Sequence, residues 1–334
     1  MSILRGALRP GRLVIVALII LQGGSSYGLL TELGPREGVI AKAMNPDPDV
    51  YPTVGVWLWS REVLFISVEF PNVPGARVDA SVFEDMWGTL GQFTRIDLPA
   101  NNQIQIRHPW INHPGLIHVL TVSAEAGAVE FRGHLEWGRT QRTEDIPDQL
   151  WVPNICYQLM YAPSFQAYPQ EIPRNSPFHA KLFYEFVKRC FIFTEQGQTF
   201  LDNTERNEFA SSVGCSLDDP RNNPPITQRY LGIGQAALPP EYKYVSSDRY
   251  VVPIMATVSK DRKYLIALAG EQPRYMQQAL FECLHSYERW LPADAPVLHR
   301  SWRQKIYAME NRPETLRKRV VRDFPVHSVS GRKE

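Results

Sequence analysis

The sequence predicts a mostly β protein, an antiparallel β-sandwich or supersandwich with about three peripheral helices. The chain has 334 residues, of which 27 are Pro, 14 Tyr, 15 Phe and 8 Trp. Prolines that separate short aromatic and β-branched runs are typical of strands joined by loops. With 44% hydrophobic and 21% charged residues, the composition is that of an ordinary globular protein.

The pattern of the N-terminal residues indicates an export signal. Arg5, Arg9 and Arg12 precede the apolar run 13–21, and small residues follow at 23–28, which is the pattern of a secretory signal peptide. Nine apolar residues are too few to span a bilayer, which takes about 20. We therefore expect a signal peptide at residues 1–28, a secreted or periplasmic product and no stable transmembrane span after its removal. The alternative is a buried N-terminal strand.

The rest of the chain divides into three parts. Residues 29–53 are expected to form an extended lead-in, residues 54–325 a single large β-sandwich-type domain, and residues 326–334 a basic tail. The formal net charge of +1 offers no electrostatic support for a nucleic-acid partner.

The first half of the domain alternates as half-buried strands do. Ser60 and Arg61 are expected to turn the first hairpin. The predicted strands are 54–59, 62–70, 76–83, 91–98, 102–108, 116–124 and 127–137.

The second half is predicted to be mixed. Helices are expected after Asn175-Ser176-Pro177, over 274–289, where apolar residues recur at helical spacing, and from Pro313. Strands are expected on both sides of a turn at 195–197, twice within 250–270 and over 303–309. Residues 202–248 are predicted to be a long loop.

One strand carries the strongest candidate chemistry. In the segment 129–137, apolar side chains alternate with ionisable ones, so Glu130, Arg132, His134 and Glu136 share one face. Such a row can bind hydroxyls, move a proton near neutral pH and act as acid, base or nucleophile. We predict these four residues as catalytic groups. The alternative is an ordinary solvated sheet face.

A second candidate lies in the histidine-rich segment around residue 110. His108, Trp110 and His113 are predicted to bind ligand, with Arg61 beside the tryptophans of the first strand. His118 follows on the next strand. These imidazoles could bind zinc or copper, but the segment holds no carboxylate or cysteine, so we predict no metal site and leave any cofactor unknown. Structural packing is the alternative.

The four cysteines leave their state open. Cys156, Cys190, Cys215 and Cys283 permit two disulfides in an exported chain or four buried thiols. Cys283 and His285 fall in the predicted helix, where residues two apart do not face each other. A Cys–His nucleophile is therefore not expected.

Four segments resemble a group of uncharacterised exported bacterial proteins. They are LWVPNICYQLMYAPSF (150–165), RCFIFTEQGQTFLD (189–202), YVVPIMATVSKDRKYLIALAG (250–270) and CLHSYERWLPADAP (283–296). The resemblance covers about the last two thirds of the chain and implies no activity or site residues. In size and β content the chain is also similar, at the level of fold, to the supersandwich of sugar mutarotases and some polysaccharide lyases.

These observations lead to two hypotheses of function. The first is an exported protein that binds or processes carbohydrate with the polar row on a concave sheet face, as a glycoside hydrolase, polysaccharide lyase or sugar epimerase would, with a glycan as partner. The second is a non-catalytic cell-envelope or interaction protein. The two differ in whether the polar row lines a cleft and is joined by ionisable groups from a neighbouring strand.

Overall fold

The computed structural model describes twelve stretches of the chain. They are residues 43–44, 47–58, 64–83, 95–110, 113–138, 154–159, 161–166, 185–204, 212–216, 243–279, 282–292 and 294–325. The predicted signal peptide, residues 29–42 of the lead-in, Arg61 and the basic tail lie outside these stretches.

The described part of the chain is mostly β and forms two nine-stranded sheets. Sheet I has the spatial order β1 (Ala43–Met44), β2 (Thr53–Leu58), β3 (Leu64–Glu69), β4 (Arg77–Phe83), β9 (Asn154–Gln158), β17 (Cys283–Glu288), β16 (Pro273–Ala279), β12 (Ser212–Ser216), β13 (Lys243–Arg249). Its pairs are antiparallel apart from β12 and β13, which run parallel. The prediction of a long loop over 202–248 was therefore wrong at these two strands.

Sheet II is antiparallel throughout the described residues. Its spatial order is β11 (Gly197–Phe200), β10 (Cys190–Thr194), β14 (Val252–Val258), β15 (Tyr264–Gly270), β18 (Ser301–Glu310), β8 (Ala128–Trp137), β7 (His113–Glu125), β6 (Gln103–Trp110), β5 (Arg95–Ala100). Strands β5 to β8 pair with their neighbours in sequence, and each overlaps a segment predicted as a strand.

The predicted helix over 274–289 was wrong. This segment forms β16 and β17, and β17 also pairs with β9. The spacing of its apolar residues fits a helix equally well. Sheet I, however, supplies a partner strand on each side of β17. The rings of Tyr275 and Tyr287 also lie 5.6 Å apart across the β16–β17 pair. Tertiary pairing outweighs the local pattern here.

Of the other two predicted helices, one is confirmed. Helix α1 (Pro313–Asp323) begins with proline in its first turn, where the missing N–H is not needed. In the segment after Pro177, the described part shows only a helical turn over residues 185–187. Among the described residues no helix is long and apolar enough to cross a membrane.

Buried side chains of both sheets form one shared hydrophobic cluster. Val56 and Ile66 of sheet I and Phe131 and Ile306 of sheet II belong to it, all without exposed surface. The ring of Phe131 meets Tyr157 of sheet I edge-on, with centroids 5.2 Å apart. The inner faces of the two sheets therefore supply the principal core.

A polar network crosses this core. The hydroxyl of Tyr157 donates to Gln304 Oε1 at 2.7 Å, and Gln304 Nε2 donates to the carbonyl of Ser286 at 2.8 Å. The Ser286 hydroxyl donates to Glu288, which also accepts from the backbone N–H of Gln272 at 3.1 Å. Burial outweighs these hydrogen bonds and raises the pKa of Glu288 to about 8.

Gly270 makes room for this carboxyl. A Cβ at that position would lie 2.0 Å from Glu288 Oε1, so any larger residue would displace the buried acid.

Helix α1 covers one half of the outer face of sheet II. Leu316 and Val320, four residues apart as the sequence indicated, are buried in a second cluster that includes Phe191, Leu265 and Tyr307 of the sheet. The other half of this face, on β5 to β8, carries the polar row.

Candidate functional site

The polar row lies on the outer face of sheet II, and the alternation of buried and exposed side chains along β8 is the one predicted. Val129, Phe131 and Leu135 of β8 are buried, whereas Glu130 and His134 on the opposite side are partly exposed. Trp137, expected to be buried with the first group, is only partly covered and packs against the edge of the core.

Two members of the row form a cluster with an arginine from another strand. His134 Nε2 lies 3.1 Å from Glu136 Oε1, and Arg107 Nη2 of β6 binds Glu136 Oε2. Arg107 reaches across β7, because it pairs with Val119, which in turn pairs with His134. The exposed fraction of the side chain is 35% for His134, 38% for Glu136 and 28% for Arg107.

The electrostatics of this cluster define its protonation. The Arg107 hydrogen bond, followed by that of His134, lowers the pKa of Glu136 below 4.5 despite partial burial, so Glu136 is ionised at neutral pH. An ionised carboxylate only accepts hydrogen bonds, which places a proton on His134 Nε2. In the neutral ring Nδ1 is then a proton acceptor, and no other described residue hydrogen-bonds to it.

The other two members of the row belong to a different network. Glu130 Oε2 lies 2.7 Å from Arg303 Nη2 and 3.6 Å from Lys305 Nζ, while Glu130 Oε1 is 3.5 Å from Arg132 Nη2. Lys305, whose side chain is 6% exposed, also approaches Glu125 at 2.9 Å and Asp323 of α1 at 3.4 Å.

This second network has a structural role, because it links β8, β18 and helix α1. Glu130 is held by three cations, whereas the Arg132 side chain is 51% exposed. The row predicted as one catalytic site thus divides into a half-exposed His–Glu–Arg cluster and an ion-pair network.

The predicted ligand-binding residues are only partly placed. His108 pairs with His118, and Trp110 with His113, in the β6–β7 register; the side chains of His108, Trp110 and His113 lie outside the described set, as does Arg61. His118 is a core histidine.

The surroundings of His118 account for its burial. It is 2% exposed and accepts from Trp302 Nε1 at 3.3 Å, and the two rings stack with centroids 5.9 Å apart. A Cβ on Gly133 would lie 2.1 Å from that tryptophan nitrogen, so glycine is needed beneath the stacked pair.

A cluster that the sequence reasoning missed lies on sheet I. Cys156, Cys283 and His285 place their ligand atoms within 4.8 Å of one another. Residues two apart on a strand share a face, so Cys283 and His285 of β17 do face the same side, and Cys156 of β9 lies opposite His285. The spacing Cys-Leu-His would have indicated this cluster on a strand. Because residues 274–289 were predicted to be helical, Cys283 and His285 were expected to face different sides.

The cysteines of this cluster form no disulfide. Cys156 and Cys283 are buried and unbridged, as is Cys190. Burial opposes ionisation of Cys156, but hydrogen bonding from Cys283 and the charge of the His285 imidazole outweigh it, and the pKa of Cys156 is well below 9. Burial raises the pKa of Cys190, which stands apart, to about 12.

No family model and no curated protein matches the chain.

Proposed function

We propose that the chain is an exported β-sandwich protein that binds or processes carbohydrate on the outer face of sheet II. The sandwich is supported by the core that both sheets share. The function is supported above all by one observation, the half-exposed cluster of His134, Glu136 and Arg107.

The cluster offers three complementary groups to a sugar. The Glu136 carboxylate accepts hydrogen bonds from hydroxyls, the Arg107 guanidinium and the nearby Arg132 donate them or bind a uronate carboxylate, and His134 Nδ1 accepts a proton. Hydroxyl-rich ligands need such a mixture of donors and acceptors at an accessible surface.

The same geometry argues against a hydrolase with two catalytic carboxylates. That mechanism requires a protonated acid beside an ionised carboxylate. Glu136 has a lowered pKa, and Glu130 is paired with Arg303 and Lys305. Binding, or proton transfer through His134 as in a lyase or epimerase, is therefore favoured over hydrolysis.

A glycan array tests the proposal. The full chain is applied to neutral and uronate-containing glycans, and we expect His134→Ala and Glu136→Gln to abolish binding while changing the free energy of unfolding by less than about 1 kcal/mol, since exposed ion pairs contribute little.

The matched control is Arg95→Ala. It removes an exposed ion pair with Asp97, at 2.7 Å, on β5 of the same sheet, and should leave binding unchanged. If the parent binds no glycan, or if both cluster variants bind as the parent does, the proposal is wrong.

The alternative, a non-catalytic envelope or interaction protein, has its own support in the ion-pair network. Glu130 of the polar row pairs with Lys305, which in turn pairs with Asp323 of α1, and this is a structural role.

A further inference from the structure

The thiol–imidazole cluster on sheet I lies on a different sheet from the proposed carbohydrate site and does not depend on it. Its three residues come from adjacent strands, since β17 supplies Cys283 and His285 and β9 supplies Cys156. Two thiols and an imidazole, all within 4.8 Å of one another, form a set of soft and borderline ligands.

This ligand set suits zinc. In a tetrahedral site with Zn–S bonds of about 2.3 Å and Zn–N bonds of about 2.0 Å, the ligand atoms stand about 3.5–3.8 Å apart, which the cluster can reach with small side-chain adjustments. Thiolate and imidazole ligands favour zinc over the hard cations, which prefer oxygen.

The register disfavours a disulfide as the role of the two thiols. Cys156 lies opposite His285, and Cys283 lies opposite Gln158, so the cysteines are diagonal neighbours. Diagonal Cα atoms on antiparallel strands are about 7–8 Å apart, beyond the usual disulfide range of about 4.4–6.8 Å. A metal ion bridges such a pair without a backbone shift.

Neighbouring side chains orient the histidine. The ring of Tyr287 stacks on that of His285, with 10° between the planes and 6.0 Å between centroids. Its hydroxyl donates to Gln277 Oε1 at 3.3 Å, and Gln277 pairs with His285 across β16 and β17. The stacked tyrosine, itself held by Gln277, fixes the plane of the His285 ring.

We propose that Cys156, Cys283 and His285 bind one zinc ion. Thiolate sulfur and imidazole nitrogen are the ligands that zinc takes most often in proteins. His285 is the most exposed of the three, so ligand access is expected from its side.

The test is a zinc titration of the full chain after treatment with a chelator, with stoichiometry measured by elemental analysis. We expect one zinc per chain, and a loss of affinity of more than about 100-fold in Cys283→Ser and His285→Gln, because even the loss of a supporting residue costs about 10–100-fold. The control is Cys190→Ala, a buried free thiol of sheet II outside the cluster, which should bind zinc as the parent does.

A second measurement does not depend on the variants' folding. Cobalt added to the wild-type chain should give the intense visible bands of a tetrahedral ion and a thiolate charge-transfer band, and zinc should abolish both. A Cys156–Cys283 disulfide in the native protein, the absence of these bands, or unchanged zinc affinity in a folded Cys283→Ser variant would each overturn the proposal.

Discussion

The buried carboxyl of Glu288 leads to a prediction about stability and pH. This side chain is 1% exposed and lies in the core between the sheets. Burial raises its pKa from 4.5 to about 8, so the folded protein holds a proton there that the unfolded chain releases. The stability contribution of the protonated acid is complete below about pH 4.5 and is lost as the pH rises to about 8.

The magnitude follows from the difference between the pKa of Glu288 in the folded protein and its pKa in the unfolded chain. Each tenfold change in the proton equilibrium is worth about 1.4 kcal/mol, so the free energy of unfolding should fall by on the order of 5 kcal/mol over this interval. Above about pH 8 this contribution should change no further. Because typical domains are stable by about 5–15 kcal/mol, the effect is large enough to dominate the alkaline limb of the stability profile.

The assay is urea unfolding at a series of pH values between 4.5 and 9, for the parent and for Glu288→Gln. The variant loses one acceptor for the Ser286 hydroxyl or the Gln272 N–H, so it should be less stable at pH 5, yet its stability should fall much less between pH 5 and 8. Glu310→Gln, at an exposed end of β18, controls for the loss of a carboxylate. If parent and Glu288→Gln have the same pH slope, the carboxyl does not keep its proton and the reasoning is wrong.

Three further outcomes are expected. Phe131→Ala, at a fully buried ring packed on Tyr157, should lower the free energy of unfolding by about 3–5 kcal/mol; a loss below about 1 kcal/mol in the same urea assay would contradict its place in the core. Lys305→Met removes the cation that Glu125, Glu130 and Asp323 share and should lower the free energy of unfolding by about 1–3 kcal/mol; Lys305→Arg, which keeps the charge, should lose less, and equal losses in the two variants would refute this. Expression with a secretion apparatus should yield a mature chain beginning near Tyr27 or Leu29, by N-terminal sequencing; a soluble product that retains Met1 would exclude the signal peptide.

The strands of the first half could be predicted because their information is local. In β8 the alternation of Val129 and Phe131 with Glu130 and Arg132 specifies the two faces directly, and β5 to β8 pair with their sequence neighbours. No distant segment has to be known for these strands to be recognised.

The segment 273–288 could not be predicted in the same way. Its apolar residues satisfy helical spacing, and only the presence of β9, from a distant part of the chain, makes the strand β17 the better solution. The thiol–imidazole cluster was missed for the same reason, because its three ligands are brought together by that pairing.

The candidate site shows a similar division. His134 and Glu136 were found from one strand, but Arg107, which sets the protonation of Glu136, comes from β6. Arg303 and Lys305, which β18 places beside Glu130, could not be inferred from the sequence of β8 alone. A pattern within one strand shows which face a side chain takes but not which charges will meet it.

The strand order also has a kinetic consequence. The face proposed to bind carbohydrate is built on β6 and β8 of a meander whose contacts are short-range, whereas the proposed zinc ligands meet only when residues 156–158 pair with residues 283–285. Closing so long a loop has a higher entropic cost than closing a hairpin, and long-range pairings slow folding. We therefore expect the metal-binding cluster to assemble late, so that an added ion would slow unfolding of the finished protein rather than nucleate its folding.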